Sequence, residues 1–125
     1  MTRPTYVDDY NEIMAVLDKY NKGCAEANSS ILKPAFSDRA TIFGASEEGL
    51  TGGPIEFLYE SIDKFSPSPN AKAVVVRLDI VGTVANARVD TNDLNGRFYT
   101  DFLNLVKRGN DWIIVSKIFH SHRVA

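Results

Sequence analysis

Asp101 and His120 are the residues of this chain best placed for acid–base chemistry, because they fall in two strand-like runs that a tight turn folds together. The runs are RFYTDFLNLVK and WIIVSKIFHSH, separated by Arg108-Gly109-Asn110-Asp111. With Gly109-Asn110 as a two-residue turn, Arg108 faces Asp111, Asp101 faces Ile118, and Tyr99 faces His120. Asp101 and His120 are then diagonal neighbours, roughly 7–8 Å apart at the backbone, a gap that side chains close. A carboxylate orienting an imidazole is an arrangement suited to a general base. Strict alternation puts Tyr99, Leu103, Leu105, Trp112, Ile114, Ser116 and Ile118 on the same surface. The hairpin therefore reads as one wall of an apolar pocket with a few polar groups. Arg88 competes for Asp101 if the preceding turn, Asp93–Gly96, has an even count. An odd count is preferred, because it gathers Ala85, Ala87 and Val89 with Leu103 and Leu105 and leaves Asn86, Arg88 and Asp90 outside.

That wall needs elements to cover it. Tyr6, Tyr10, Ile13, Leu17, Tyr20, Cys24 and Ala27 recur at steps of three and four and predict an amphipathic helix over about residues 6–28. Its other face carries Asp8, Asp9, Glu12, Asp18, Lys19, Lys22 and Glu26. Ser29 or Ser30 is expected to cap a short second helix ending near Pro34 and Phe36, and ATIFG reads as a strand. Gly53-Pro54 is expected to open a third helix, with Ile55, Leu58, Ile62 and Phe65 buried. The prolines of SPSPN end it. From Ala73 onward four strands joined by short turns predict an antiparallel meander, so the expectation for residues 1–125 is a single α+β domain.

Tyr20, on the inner stripe of the first helix, could offer its hydroxyl to a ligand, and Phe36, Phe43, Phe57, Leu58, Tyr59 and Phe65 could wall the cavity. Trp112, after the tight turn, is expected either to close one end of the fold or to pack on the first helix. Cys24, on the buried stripe, reads as a small hydrophobe. His120 and His122 have no clustered carboxylates with them, so neither a metal nor a cofactor is expected. The net charge of −2 lacks the basic stripe that nucleic acid requires, and no apolar run approaches the roughly 18 residues of a membrane span. One cysteine and a polar start make a cytoplasmic location the default. Val74, Val76, Phe98, Phe102, Val106, Ile113, Val115 and Phe119 form an outer sheet face too apolar to stay wet, which predicts a homodimer through the sheet.

Several spaced segments carry a family resemblance: Tyr20-Asn21-Lys22-Gly23, LKPAFSDRA, Gly44 and Gly52 about the short strand, then the strand run ending YTDFLNLVK and DWIIVSKIFHSH. In this order they resemble the NTF2-like superfamily and, within it, the SnoaL-like branch described as lumazine-binding. The resemblance covers about residues 10–122. It implies a cystatin-like α+β cone, three N-terminal helices packed on a curved antiparallel sheet, enclosing a pocket for an apolar or heteroaromatic small molecule. Relatives of this kind often carry an acid after the first helix and a His after the Phe of the second; Asn28 and Ser37 stand there instead. Ligand binding therefore ranks above catalysis. A ketosteroid-isomerase-like isomerase or dehydratase with Asp101 as base, and a structural dimerisation module, are the alternatives.

Overall fold

Residues 6–122 are described by the computed structural model of the chain. Helix α1 (Tyr6–Ala25) buries Ile13, Leu17, Tyr20, Gly23 and Cys24, the expected three-and-four spacing, but its stripe is rotated near the start. Tyr6 and Tyr10 stay exposed, and Asp9 goes inside instead. The reason lies on the sheet: Asp9 Oδ1 accepts from Lys107 Nζ at 2.9 Å and from Trp112 Nε1 at 3.1 Å. These partners repay the desolvation of the carboxylate. Trp112 thus packs on the first helix, the second of its two expected placements.

The helix stops at Ala25 rather than 28 because Ala27 takes a left-handed backbone, φ 53°, while the Asn28 N–H returns to the Gly23 carbonyl at 2.9 Å. Asn28, not Ser29 or Ser30, then caps α2 (Ser29–Leu32), its side-chain oxygen accepting the Ser30 N–H at 3.0 Å. Ser29 is used elsewhere: its N–H and hydroxyl donate to Asp63 of α3 (Glu56–Lys64) at 2.9 and 2.7 Å. Pro54 does not open α3 but ends the strand before it. Ile55 is the N-cap, and its N–H bonds the Ala40 carbonyl at 2.9 Å, so the helix leaves directly from the sheet.

A six-stranded sheet runs in the order β2-β1-β6-β5-β4-β3, with β1 at Phe36–Ser46, β2 at Gly49–Pro54, β3 at Lys72–Val81, β4 at Val84–Leu94, β5 at Arg97–Arg108 and β6 at Asp111–His122. The last four form the expected meander. Ala85 faces Leu105 and Ala87 faces Leu103, the inward set expected, but not through an odd turn: Leu94 pairs with Arg97 about the two-residue turn Asn95-Gly96, and a register shift between Thr91 and Leu94 restores the phase. One pair departs from an all-antiparallel sheet: β1 joins β6 in parallel. Their long separation in sequence, filled by β2, α3 and three strands, permits that crossover. Register shifts interrupt β1, β3, β4 and β6. Such bulges increase local bend and twist, curving the sheet around the helices. Ile13, Leu17, Leu32, Ile55, Val89, Leu103, Leu105 and Ile114 fill the space between.

Asp9→Ala is expected to destabilise the fold by about 2 kcal/mol, since it leaves the buried Trp112 N–H and the half-covered Lys107 without their acceptor. Urea unfolding followed through Trp112 fluorescence measures it, and an unchanged midpoint would show the contact to be dispensable.

Candidate functional site

The decisive local feature is a bulge in β6. Arg108 pairs with Asp111, as expected, and Leu105 with Ile114, but Asn104 pairs with Ser116, so Val115 is an extra residue without a partner on β5. Beyond it the phase of β6 is reversed. Lys117 and Phe119 turn to the helix-covered face, and Ile118, His120 and His122 turn to the outer one.

Asp101, on the inner face of β5, therefore faces Phe119 across the ladder rather than Ile118, and the imidazole is not its neighbour. His120 is exposed and pairs with Thr100, its ring edge-on to His122 at 4.6 Å. Arg88 is not its partner either. That guanidinium forms a two-bond pair with Asp90 on the outer face, at 3.1 and 3.0 Å. Instead Tyr20 of α1 donates its hydroxyl hydrogen to Asp101 Oδ2 at 2.6 Å, and Lys117 Nζ donates to the Tyr20 oxygen.

These three side chains come from α1, β5 and β6, and all are buried: Tyr20 is 2% exposed, Asp101 3% and Lys117 7%. Lys117 Nζ also lies 3.8 Å from Asp101 Oδ1, an ion pair too long for a hydrogen bond, and 4.8 Å above the centre of the Tyr20 ring. Asp101 Oδ1 is buried with no hydrogen-bond partner among the described residues. Burial first, then the neighbouring Asp101 carboxylate, push the Tyr20 hydroxyl well above its ordinary ionisation range. The phenol remains a donor at neutral pH.

The cluster opens on a cavity of about 190 Å³, walled by Phe57, Leu58, Phe65, Tyr99 and Phe119 with Cys24 at its side. Two glycines of the sheet give it room. At Gly44 an added Cβ would sit 2.5–2.8 Å from the Phe119 ring, so only a glycine on β1 lets that ring lie flat against the strand. Gly52, with φ 136°, brings β2 so close to the Ile42 carbonyl that no side chain fits.

Of the residues singled out from the sequence, Tyr20, Phe57, Leu58, Phe65, Tyr99 and Asp101 line this cavity, and Tyr59 does not. Leu103 lies beneath it in the core, and Phe36 supports it from behind, its ring edge-on to Tyr20 at 5.7 Å. Phe43 pairs with Ile118 and shares its outer face, so Phe43, Ile118 and His120 are not pocket residues; the bulge removes the last two. Phe119, expected outside, is inside for the same reason. Lys117 escaped sequence reading because period-2 alternation places it outward. Its one visible signal was position, a single charge inside the apolar run WIIVSKIF.

Among the described residues no group of three or more His, Cys, Asp or Glu could hold a metal ion. No helix there is long and apolar enough to cross a membrane. Burial pushes the Cys24 thiol from its ordinary 9.0 up to about 11, against the opposing pull of Lys117. An unfolded thiol ionises first, so this group's contribution to stability is complete below pH 9.0 and lost as pH rises towards 11. Tyr20 acts in the same direction. Urea unfolding at about pH 8 and about pH 10.5 should show this loss, and Cys24→Ala should make it shallower. An equal loss in the variant would remove Cys24 from the account.

The chain matches the family model described as "Putative lumazine-binding" over residues 8–120. Aldolase FrzH from Cladobotryum sp. is 32% identical over 118 residues, 91% of this chain and 92% of that protein. Among solved structures, an NTF2-like protein of unknown function from Shewanella baltica OS155 superposes with a TM-score of 0.95 at 52% identity, covering 98% of this chain and 100% of that one. Another NTF2-like protein of unknown function, from Methylobacillus flagellatus KT, gives 0.89 at 36% identity over 94% of each. Three helices packed on a curved, mostly antiparallel sheet agree with these matches, and the chain belongs to the lumazine-binding-named family of the NTF2-like superfamily.

Proposed function

We propose that the protein takes a small apolar or aromatic carbonyl compound into the cavity beneath its helices and moves a proton at the carbon beside the carbonyl. Asp101 is the proton acceptor, and Tyr20 and Lys117 stand at the carbonyl end. One observation carries this reading: Asp101, at the edge of an aromatic-walled cavity, has its Oδ2 held by Tyr20 while its buried Oδ1 accepts no hydrogen bond among the described residues, with Lys117 Nζ 3.8 Å away. A carboxylate with one oxygen anchored and the other without a hydrogen bond is oriented for a proton transfer in a site of low dielectric. The walls select a flat, apolar body, heteroaromatic ones included. The relative named as an aldolase adds support, since aldol chemistry begins by removing such a proton. An isomerase or dehydratase begins with the same step, now without His120. A purely structural dimerisation module has no use for three ionisable groups gathered at one cavity.

We further propose that a second copy of the chain covers the outer sheet face, where Val74, Val76, Phe98, Val106 and Ile118 are exposed.

Benzylacetone, an aromatic ketone with exchangeable hydrogens, tests the site. In heavy water the protein is expected to accelerate their replacement, seen by proton NMR. Asp101→Asn should lower that rate by about 100-fold or more and Tyr20→Phe by about 10-fold. Full exchange by folded Asp101→Asn would sink the reading. For the outer face, light scattering should return the mass of two chains, and Val106→Lys with Ile118→Lys should return one; a monomeric parent protein would refute it.

A further inference from the structure

We propose that Lys117 is a carbonyl-condensing amine, forming an imine with the ketone or aldehyde that enters the cavity; this rests on the carbonyl reading above and deepens it. Lys117 is the only amine that lines the cavity among the described residues. Its surroundings differ from those of a structural salt bridge. Nζ makes no direct hydrogen bond to Asp101, lying 3.8 Å from Oδ1, and stands over the rings of Tyr20 and Phe119 at 4.8 and 5.9 Å from their centres.

What joins it to the carboxylate is a chain of two hydrogen bonds, Lys117 Nζ to the Tyr20 oxygen and the Tyr20 hydroxyl to Asp101 Oδ2. One proton shift along each bond leaves a neutral amine, an intact phenol and a protonated Asp101. The cluster as a whole does not change charge. The amine reaches its nucleophilic form without releasing a proton to solvent.

Condensation then balances within the cluster. The Nζ lone pair forms a C–N bond to the carbonyl carbon, and the carbonyl π pair moves to oxygen. That oxygen takes a proton from Asp101, and Tyr20 relays a nitrogen proton back to the carboxylate. In the second half the C–O bond breaks as the hydroxyl takes the second relayed proton. The oxygen leaves as water carrying two of the three hydrogens of the original ammonium, the nitrogen keeps the third, and its lone pair closes the C=N bond, leaving a protonated imine beside the Asp101 carboxylate. No oxidant or reductant enters. The protonated imine withdraws electrons more strongly than the carbonyl, which eases removal of the adjacent proton by Asp101. Cys24, the other nucleophile at the cavity, does not compete at neutral pH because burial keeps its thiol protonated.

Reductive trapping tests this with the whole chain. Benzylacetone and sodium cyanoborohydride at neutral pH should add one reduced ketone per chain, and peptide mapping should put it on Lys117 ahead of every exposed lysine. Lys117→Met should abolish the adduct, and Tyr20→Phe should slow it by about 10-fold. Lys117→Arg keeps the charge and a donor to Tyr20 but cannot condense, so it should lose both the adduct and most of the benzylacetone exchange. Label confined to surface lysines, or full exchange by Lys117→Arg, overturns the proposal. In the second case Asp101-dependent exchange survives, and the broader reading of the cavity stands without the covalent step. Absence of both label and exchange in the parent protein removes the two together.

Discussion

Everything at the centre of this fold depends on satisfying Asp101, Tyr20 and Lys117 at one point where water is largely excluded. An isolated buried carboxylate or ammonium costs several kcal/mol, more than a small domain has to spare. Together the cost falls. Tyr20 neutralises nothing, but it donates to Oδ2 and accepts from Nζ, so its one hydroxyl serves both charged partners. The phenol is the hinge of the group: without it, anion and cation would face each other across 3.8 Å with no hydrogen bond between them.

That requirement explains the architecture around the cluster. Helix α1 is fixed on the same two strands at both ends, by Tyr20 near its C-terminus and by Asp9 near its N-terminus, where Lys107 of β5 and Trp112 of β6 bind it. Eleven residues of helix span about 16 Å, three turns, so the two anchors lie on one side of α1. The helix can neither roll nor slide without breaking a buried polar contact. On the sheet side, the extra residue Val115 turns Lys117 inward, and Gly44 leaves space for the Phe119 ring beside it. The cavity lies where Asp101 is held, between this part of the sheet and Phe57, Leu58 and Ile62 of α3.

The parts of this arrangement that are periodic could be read in the sequence. The apolar stripes of α1 and α3, the meander and the turn that sets Arg108 against Asp111 follow from spacing and turn length, and the inward set Ala85, Ala87, Leu103 and Leu105 from apolar alternation, although a register shift between Thr91 and Leu94 is what brings the two strands into that phase. The aperiodic parts could not. A bulge leaves no signature in VSKIF, since Val115 and Ile118 suit either face of a sheet, and a single inserted residue exchanges Lys117 for His120. Asp9 was hidden by its own chemistry: an acid in a first helical turn ordinarily favours solvent and the helix dipole, and only Lys107 and Trp112, nearly a hundred residues on, make its burial tolerable. Tyr20 and Asp101 were visible one at a time, but that they belong to one group was not, because their contact joins a helix to a strand eighty-one residues away.

The same chemistry separates what holds the fold from what the fold holds. Three buried polar side chains around a cavity are a poor way to gain stability, since well-packed apolar side chains of similar volume commonly match or exceed a buried ion pair. Leu103 and Leu105 sit on the same face of β5 as Asp101 and already form that kind of packing. Continuing the apolar pattern through position 101 and across to position 117 would have closed the core. Instead the extra residue in β6 carries Lys117 inward, and the carboxylate it meets keeps one buried oxygen without a hydrogen bond among the described residues. Polarity retained at a hollow in the packed interior is what the proposed proton transfer requires and is not what packing alone would select.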